Sequence, residues 1–470
     1  MKHILPVFLF FLFNQASAQL HNFVVTTRKG GDFNKGAFFV ADSNGNNFHK
    51  VYSFKTADGS EPEGDLVFDQ NGIVYGVTLF GGAGDSCVIY SFDLNTNTYT
   101  LEHDFYDTKD SGWWDHSGGI LLPDGKLYGV GQAGGLYGGG SIYRFDPVTD
   151  LFESLFDFDS ASGLDSESGL VDMGNGKLYG TTPGGGLHNQ GTLYSFDPLT
   201  KDFRVLHNFI DSTGAWVGSG KLTKGKDGNI YGVAKGSMFS TKLFRYNLTT
   251  NNYTVVHDFV NLFDGADIPN CLVHTANGKL YGAAGVGGPA PYDGYLFSYD
   301  IQTDSVTVLK SFTDSTGLKP RGGLTLASNG KLYGTLSEGG IYGGGSVFSF
   351  DIATGTFASV YQFDSISGAR PVGSVTEVVT GISTGIVNTT ELKFKIMPNP
   401  ASSSVLVNSP LAIDKIFLSD LNGKVCSVTT KQITPGVFVL GGLDSYANGT
   451  YFITVICGKQ QKTSKLVIQK

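Results

Sequence analysis

The sequence predicts an all-β fold, a seven-bladed β-propeller with a small second domain behind it, and three observations carry that expectation. A Tyr-Gly pair returns at Tyr75, Tyr128, Tyr179, Tyr231, Tyr281 and Tyr333, in steps of 53, 51, 52, 50 and 52 residues, and a fixed period of that size marks a repeat architecture. Each pair follows an Asn-Gly or Asp-Gly (Asn71-Gly72, Asp124-Gly125, Asn175-Gly176, Asp227-Gly228, Asn277-Gly278, Asn329-Gly330), the dipeptide that two-residue type I′ hairpins demand because both central residues take positive φ. The 66 glycines and 13% aromatics, against 16% charged residues, suit many short strands joined by tight turns.

One unit shows how the elements follow. Residues 323–327, 331–335, 346–351 and 357–363 alternate or run apolar over strand length, which makes four strands per unit, the content of a propeller blade. A glycine-rich link, 338–345, joins strands two and three. An Asp-x-x-Thr turn, Asp351 to Thr354, joins three and four and recurs at Asp146 and Asp197. The chain ends decide the count. Residues 23–27, 37–42 and 51–54 match strands two, three and four with no first strand before them, whereas 375–379 match a first strand with nothing after it. Joining the two gives seven complete blades and a ring clasped by its own ends, without an open edge to invite aggregation.

The first residues have the layout of a secretory signal peptide: Lys2 and His3, an apolar run over 4–13 and the small-residue motif Ala16-Ser17-Ala18. Residues 1–18 are therefore expected to be removed and 19–380 to form the propeller. No transmembrane segment is expected, since a bilayer span takes about 20 apolar residues. A net charge of −9 without a basic stripe argues against nucleic acid, which needs clustered Lys and Arg. Four cysteines (Cys87, Cys271, Cys426, Cys457) are too few and scattered for a disulfide framework or a CxxC metal site. Cys426 and Cys457 could pair after export or stay reduced.

Two resemblances follow from particular motifs. Lys177-Leu178-Tyr179-Gly180-Thr181-Thr182, then Gly184-Gly185-Gly186, then Gly191-Thr192-Leu193-Tyr194-Ser195-Phe196-Asp197 resembles the bacterial GloVer tandem-repeat family over about residues 20 to 380. The resemblance implies a surface or secreted propeller of unassigned activity. The fifth unit departs from it, with Val233-Ala234-Lys235-Gly236-Ser237 in place of the double glycine. Residues 381–393 lose the period and read as a linker. Beyond them, Pro398-Asn399-Pro400, Ser419-Asp420-Leu421-Asn422-Gly423-Lys424, Asn448-Gly449-Thr450-Tyr451-Phe452 and the terminal Lys465-Leu466-Val467-Ile468-Gln469-Lys470 resemble the type A sorting domain of type IX secretion cargo. That likeness implies that 394–470 form a small Ig-like β-sandwich, that the type IX secretion machinery is a partner, and that the protein ends up secreted or on the outer cell surface.

Chemistry is harder to find. No H-E-x-x-H, G-x-S-x-G, P-loop or EF-hand pattern occurs, so no metal and no cofactor is expected. Gly129-Val130-Gly131-Gln132-Ala133-Gly134 fits G-x-G-x-x-G after a strand, but no helix follows and the segment is the repeating link between strands two and three, which reads as a turn. The recurrent Asp93, Asp146, Asp197, Asp300 and Asp351 read as turn residues capping backbone N–H groups rather than calcium ligands, and the repeated tyrosines as core. A site must break the symmetry. The links from strand four to the next strand one do so. They carry Glu61 and Glu63, then Trp113, Trp114, Asp115 and His116, then Asp165 and Glu167, then Trp216, Asp267 and Asn270, then Lys319 and Arg321, and finally Arg370. All three tryptophans fall there. Aromatic faces with nearby charged groups suit sugar recognition. The competing readings are tryptophans that cap the apolar end of a blade, and Lys319, Arg321 and Arg370 that pair with Glu61 and Glu63 around the closed ring. The candidate ligand-binding set is Trp113, Trp114, Asp115, His116, Asp165, Glu167, Trp216, Lys319, Arg321 and Arg370. It fits a surface module for glycan or protein, a carbohydrate-active enzyme using Asp115, His116, Asp165 or Glu167 as acid and base, or a purely structural, adhesive ring.

Overall fold

In a computed structural model, residues 20–470 are described apart from 43, 106–117, 216, 218–219, 237–239, 260–271, 286, 288–292, 381–393, 410–412, 414, 421–424, 435 and 458–459. The expected signal peptide and linker lie outside the described residues. Chain contacts divide the molecule into two compact units, one of which is Leu20–Gly381.

That unit holds seven antiparallel sheets that follow the chain except at its ends, six of four strands and one of five, in blade 7, where Leu318–Pro320 and Thr325–Leu326 both pair with Lys331–Glu338. Blade 1 orders Thr376–Thr380, Leu20–Thr27, Ala37–Ala41 and His49–Ser53, so the last propeller strand completes the first sheet. The clasp runs from Leu20↔Thr380 to Val24↔Thr376. Blades 2 to 7 span 60–104, 120–157, 171–208, 223–259, 273–311 and 318–362. Their first strands are shorter than the alternation suggests, two residues in blades 3 to 6. Those short strands lie nearest the axis and bond from blade to blade. The hydroxyls of Thr223, Thr325 and Thr376 donate to Leu272 O at 2.6 Å, Val375 O at 2.5 Å and Leu66 O at 3.1 Å, each in the next blade.

The Tyr-Gly pair acquires a physical reason from its neighbours. The glycine lies opposite the central aromatic of strand three, as Gly180 does Tyr194, and that ring crosses the space a Cβ would fill. A Cβ would come to 2.3 Å from the Tyr194 hydroxyl at Gly180, 2.3 Å from the Tyr143 ring at Gly129 and 2.4 Å from Phe244 at Gly232. An aromatic laid over a glycine restores the apolar contact that the glycine lacks. Blade 1 has Val25 at this position, opposite Phe39, and there the Phe39 ring packs on Tyr361 and Phe363 of blade 7 instead. The tyrosine of the pair is buried between blades, as at Tyr231 and Tyr333. Immediately before the strand-three aromatic, the pairing of strands three and four slips by one residue in every blade, between Ile142 and Tyr143 or Leu193 and Tyr194 for example. Such bulges sharpen the local twist.

The Asn-Gly and Asp-Gly turns differ from the type I′ expectation. Only the glycine takes positive φ (78° at Gly125, 79° at Gly176), and Gly125 N donates to Leu122 O while Leu122 N reaches Lys126 O. This is a type I turn closed by a left-handed glycine, a three-residue hairpin. The reason lies in the preceding side chain, which has two bonds to make. Asn175 Oδ1 accepts from Lys177 N at 3.2 Å while its Nδ2 donates to the Tyr179 hydroxyl at 2.8 Å, and Asn277 and Asn329 do the same for Tyr281 and Tyr333. Where aspartate replaces asparagine, the phenol donates: Tyr128 to Asp124 at 2.9 Å, Tyr231 to Asp227 at 2.7 Å. The Asp-x-x-Thr turns behave as expected. Asp197 Oδ1 accepts from the N–H groups of Leu199 and Thr200, Asp351 from Ala353 and Thr354, and backbone hydrogen bonds hold both carboxyls below their usual range.

The C-terminal unit is a β-sandwich. One sheet orders Lys395–Met397, Ser404–Asn408, Val437–Gly441 and Thr429–Thr434; the other Val425–Cys426, Lys415–Ser419, Gly449–Cys457 and Gln460–Ile468. Val405, Val407, Leu418, Leu440, Ile453 and Leu466 fill its core. Its motif residues tie down the last strand. Asn399 accepts from Val467 N at 2.8 Å and donates to Lys465 O at 3.0 Å, and Asn448 Oδ1 accepts from Lys470 N. Cys426 and Cys457 stand on strands flanking Lys415–Ser419 on opposite sides, and Leu418 pairs with both Cys426 and Ile453. Two strand spacings plus four residues of offset separate the cysteine backbones by well over the ~7 Å that a disulfide tolerates.

Candidate functional site

The links between blades and the links between strands two and three share one face of the propeller. Leu164, in the link entering blade 4, bonds reciprocally with Gly184 at the end of that blade's second strand, at 2.8 and 3.2 Å; Ala369 and Lys29 repeat this in blade 1 at 2.7 and 2.9 Å. The next residue is fixed from the other side. Glu61 N donates to Lys35 O, Asp165 N to Gly139 O and Arg370 N to Gly344 O, each in the preceding blade, at 2.8 to 3.1 Å.

This twice-held residue takes a left-handed conformation: φ is 58° at Glu61, 59° at Asp165, 55° at Lys319 and 58° at Arg370. The equivalent residues elsewhere are Trp114, Trp216 and Asp267, outside the described residues. Glycine or asparagine would be the easy choice at such φ, and non-glycine residues there typically store about 1–3 kcal/mol of strain. Main-chain bonds specify the conformation whatever the side chain. The position is therefore free to vary, and across the seven blades it holds three acids, two tryptophans and two basic residues.

The charges pair differently from the expectation. Glu61 accepts from Arg28 Nε at 2.8 Å and from Lys29, and Glu63 lies 3.3 Å from Arg28 Nη1; both cations stand at the end of blade 1's second strand. Burial works to raise the Glu61 carboxyl, but these hydrogen bonds outweigh it and hold it below its usual range. Lys319 pairs with Glu338 of its own blade at 2.7 Å. Thus Lys319 does not reach Glu61 or Glu63. Arg321 and Arg370 have no carboxylate partner among the described residues. Glu167 accepts from Gln132 Nε2 at 2.6 Å, which gives the G-x-G-x-x-G segment a side-chain task; the strand Leu127–Gly131 runs into a turn, with no helix after it. Nearer the axis, Lys221 of blade 5 reaches Asp65 of blade 2 at 3.7 Å, and Asp65 also accepts from Ser374 N of blade 1. Since blades 2 and 5 are not neighbours, this pair spans the mouth of the ring. Trp113, Trp114, Asp115, His116 and Trp216 lie outside the described residues. Among the described residues no group of three or more His, Cys, Asp or Glu is placed to hold a metal ion.

A second feature of this face was absent from the sequence reading. The tips of the links between strands two and three expose Phe33, Leu136, Tyr137, Leu187, Ile341 and Tyr342, each 58–78% accessible. In blades 1, 2, 4 and 7 the last polar side chain of strand four accepts the N–H of a tip residue. Ser53 Oγ takes Asp32 N at 3.2 Å, Asp104 takes Ala83 N at 2.6 Å, Asn208 takes Leu187 N at 2.8 Å and Gln362 takes Ile341 N at 3.2 Å. Beside Leu187 an open cavity of about 480 Å³ is lined by Ser160, Ala161, Gly186, Leu187, Val205 and Asn208. The signal for the tips was an apolar pair inside a glycine run, Leu136-Tyr137 and Ile341-Tyr342.

Comparison with known proteins bears on the scaffold. Residues 15–241 and 236–393 match the Gloeobacter/Verrucomicrobia repeat. The chain belongs to this repeat family. Residues 395–469 match the secretion system C-terminal sorting domain, which makes this Gloeobacter/Verrucomicrobia repeat protein a secreted or cell-surface protein handled by the type IX secretion machinery. No helix among the described residues is long and apolar enough to cross a membrane. A search of curated proteins finds no match. Among solved structures, a candidate 6-phosphogluconolactonase from Bacteroides fragilis is similar at 16% identity with a TM-score of 0.50, over 78% of this chain and 99% of that one. Another from Bacteroides uniformis is similar at 14% identity with a TM-score of 0.51, over 77% and 99%. At such identities the likeness concerns the fold alone.

Proposed function

We infer that this repeat protein is a non-enzymatic binding module, exported to the cell exterior, that holds a glycan or protein ligand on the face carrying its inter-blade links. The observation that carries the reading is a set of exposed apolar tips on blades 1, 3, 4 and 7, Phe33, Leu136, Tyr137, Leu187, Ile341 and Tyr342, on loops closed by main-chain bonds and, in blades 1, 4 and 7, by a side-chain acceptor on strand four. Large apolar side chains held out to water lower solubility, and apolar groups gathered on one face mark interaction surfaces. Rigid presentation also reduces the entropy lost on binding. On the same face stand Asp165, Glu167, Lys319, Arg321 and Arg370, polar and charged groups that can orient a ligand. An enzymatic reading needs a pair of carboxylates poised as acid and base, and the engagement of Glu167 by Gln132 does not favour it.

The test is a glycan-array assay on the mature protein, run beside an assay for reducing sugar released from polysaccharide. Binding without release is expected, and Tyr137→Ala with Tyr342→Ala should weaken it without changing the melting temperature. Release of sugar at a catalytic rate, or binding indifferent to both substitutions, overturns the reading.

A further inference from the structure

The junction of blades 7 and 1 differs from the rest of the face. Arg321 and Arg370 are both exposed, and among the described residues neither has a carboxylate partner, whereas the neighbouring cations Arg28, Lys29 and Lys319 are all paired with glutamate. The two arginine-bearing links run side by side. A Cβ on Gly322 would come to 2.3 Å from Gly373 O, and these glycines lie one and three residues beyond Arg321 and Arg370. The Arg370 N–H bonds to Gly344 O at 2.9 Å, two residues beyond the exposed Tyr342, and Gly344 N donates to Phe363 O, three residues before Ile366, which is 81% exposed. Two guanidinium groups without a carboxylate partner among the described residues and the apolar side chains of Ile341, Tyr342 and Ile366 thus share one junction. Asp364, on the link that carries Arg370, is occupied by the N–H groups of Ile366 and Ser367 and the Ser367 hydroxyl.

We propose that this junction is a binding site for an acidic polysaccharide, one that carries carboxylate or sulfate groups on its sugar rings. The inference rests on the binding reading above and names the ligand class for one sector of that face. Charge complementarity selects the occupant. A guanidinium presents a planar fork of donors that matches a carboxylate or sulfate, while a tyrosine ring and two aliphatic side chains offer apolar surface to the C–H face of a sugar. The rest of the molecule opposes a polyanion, since the chain carries a net charge of −9. A polyanion is therefore retained only where cations lack internal partners, and retention weakens as salt screens exposed charges.

The experiment measures retention of the full-length mature protein on immobilised polygalacturonate, dextran sulfate, uncharged dextran and single-stranded DNA, over a series of NaCl concentrations. Retention is expected on polygalacturonate or dextran sulfate, falling with salt. Arg321→Gln with Arg370→Gln should weaken it by roughly tenfold or more, as loss of hydrogen bonds to a charged group implies, while Lys201→Gln on the opposite face changes nothing. Because main-chain bonds hold both links, melting of the double variant should match the wild type. Equal retention on DNA overturns the polysaccharide assignment. Retention on uncharged dextran alone, insensitive to the arginine changes, overturns the acidic site and leaves the binding module standing. Retention on no polymer overturns the acidic site, and the glycan array then decides the wider reading by itself.

Discussion

Gly180→Ala tests the packing logic of the whole ring in one methyl group. On general grounds a glycine inside a strand is a weak point, and alanine there should help, by restricting the unfolded chain, to the extent of about 0.4–1 kcal/mol. The structure reverses the sign. A Cβ at Gly180 would stand 2.3 Å from the Tyr194 hydroxyl and 2.5 Å from Cζ, and the Tyr194 ring cannot retreat: it is fully buried, with Phe158 5.3 Å away edge-on and Phe203 at 5.1 Å. Overpacking of this kind costs about 1–3 kcal/mol, so the net change should be a destabilisation of about 1–2 kcal/mol. Equilibrium urea unfolding followed by circular dichroism reads it directly. The decisive comparison is Tyr194→Ala, where the ring that blocks the methyl is gone and a further Gly180→Ala change should be neutral or stabilising. That gives a coupling between the two sites of about 1–3 kcal/mol, within the range for residues in contact. If Gly180→Ala is neutral or stabilising while Tyr194 is intact, the account of the Tyr-Gly repeat is wrong.

Three further outcomes follow from other parts of the scaffold. Val378→Asp, in the clasping strand at a fully buried position against Val24 and Phe38, should destabilise the propeller by several kcal/mol through an unpaired buried charge, and an unchanged urea midpoint would count against the closure. Asn175→Ala removes the acceptor for Lys177 N and the partner of the Tyr179 hydroxyl; a loss of about 1–2 kcal/mol is expected, and an unchanged midpoint would remove the stabilising role given to that side chain. Burial pulls the His207 pKa from its usual 6.5 down to about 4, and its ring stacks on Tyr253 at 3.8 Å. The unfolded chain takes up the proton first as pH falls, so stability present above about pH 6.5 is lost progressively toward pH 4. His207→Gln should flatten that part of the stability profile, and an identical slope in both proteins would refute the assignment.

The ring was legible because a repeat reports its own geometry: the period of Tyr75 to Tyr333, and the missing first strand ahead of residue 23, fixed both the blade count and the clasp. The turns were legible in place but not in type. Asn175 and its equivalents look like type I′ residues until the tyrosine four positions later is seen to claim the side chain. The mouth was the least legible. Nothing about Glu61, Asp165, Lys319 or Arg370 marks a left-handed residue, because no glycine or asparagine stands there and the conformation is imposed by bonds to two different blades. The pairing of Glu61 with Arg28 and Lys29 was hidden for a related reason: those cations belong to blade 1's second strand, and a comparison of equivalent links never sets the two side by side. The exposed tips escaped notice because a pair of apolar residues within glycines has neither a helical nor a strand period.

The clasp also determines how the protein yields to force. Leu20 and Thr380 face each other at the end of one antiparallel ladder, so the two points where the chain enters and leaves the ring are adjacent and a pull between them acts across the ladder, not along it. Bonds in such a ladder open one pair at a time, like a zipper. Loads applied through the two ends of the propeller are thus taken first by Leu20↔Thr380 and its four successors, and blades 2 to 7 bear tension only after blade 1 has parted. A surface protein tethered at one end and gripped at the other would fail at this single seam, and it would do so reversibly for as long as six intact blades hold the parted strands close enough to meet again.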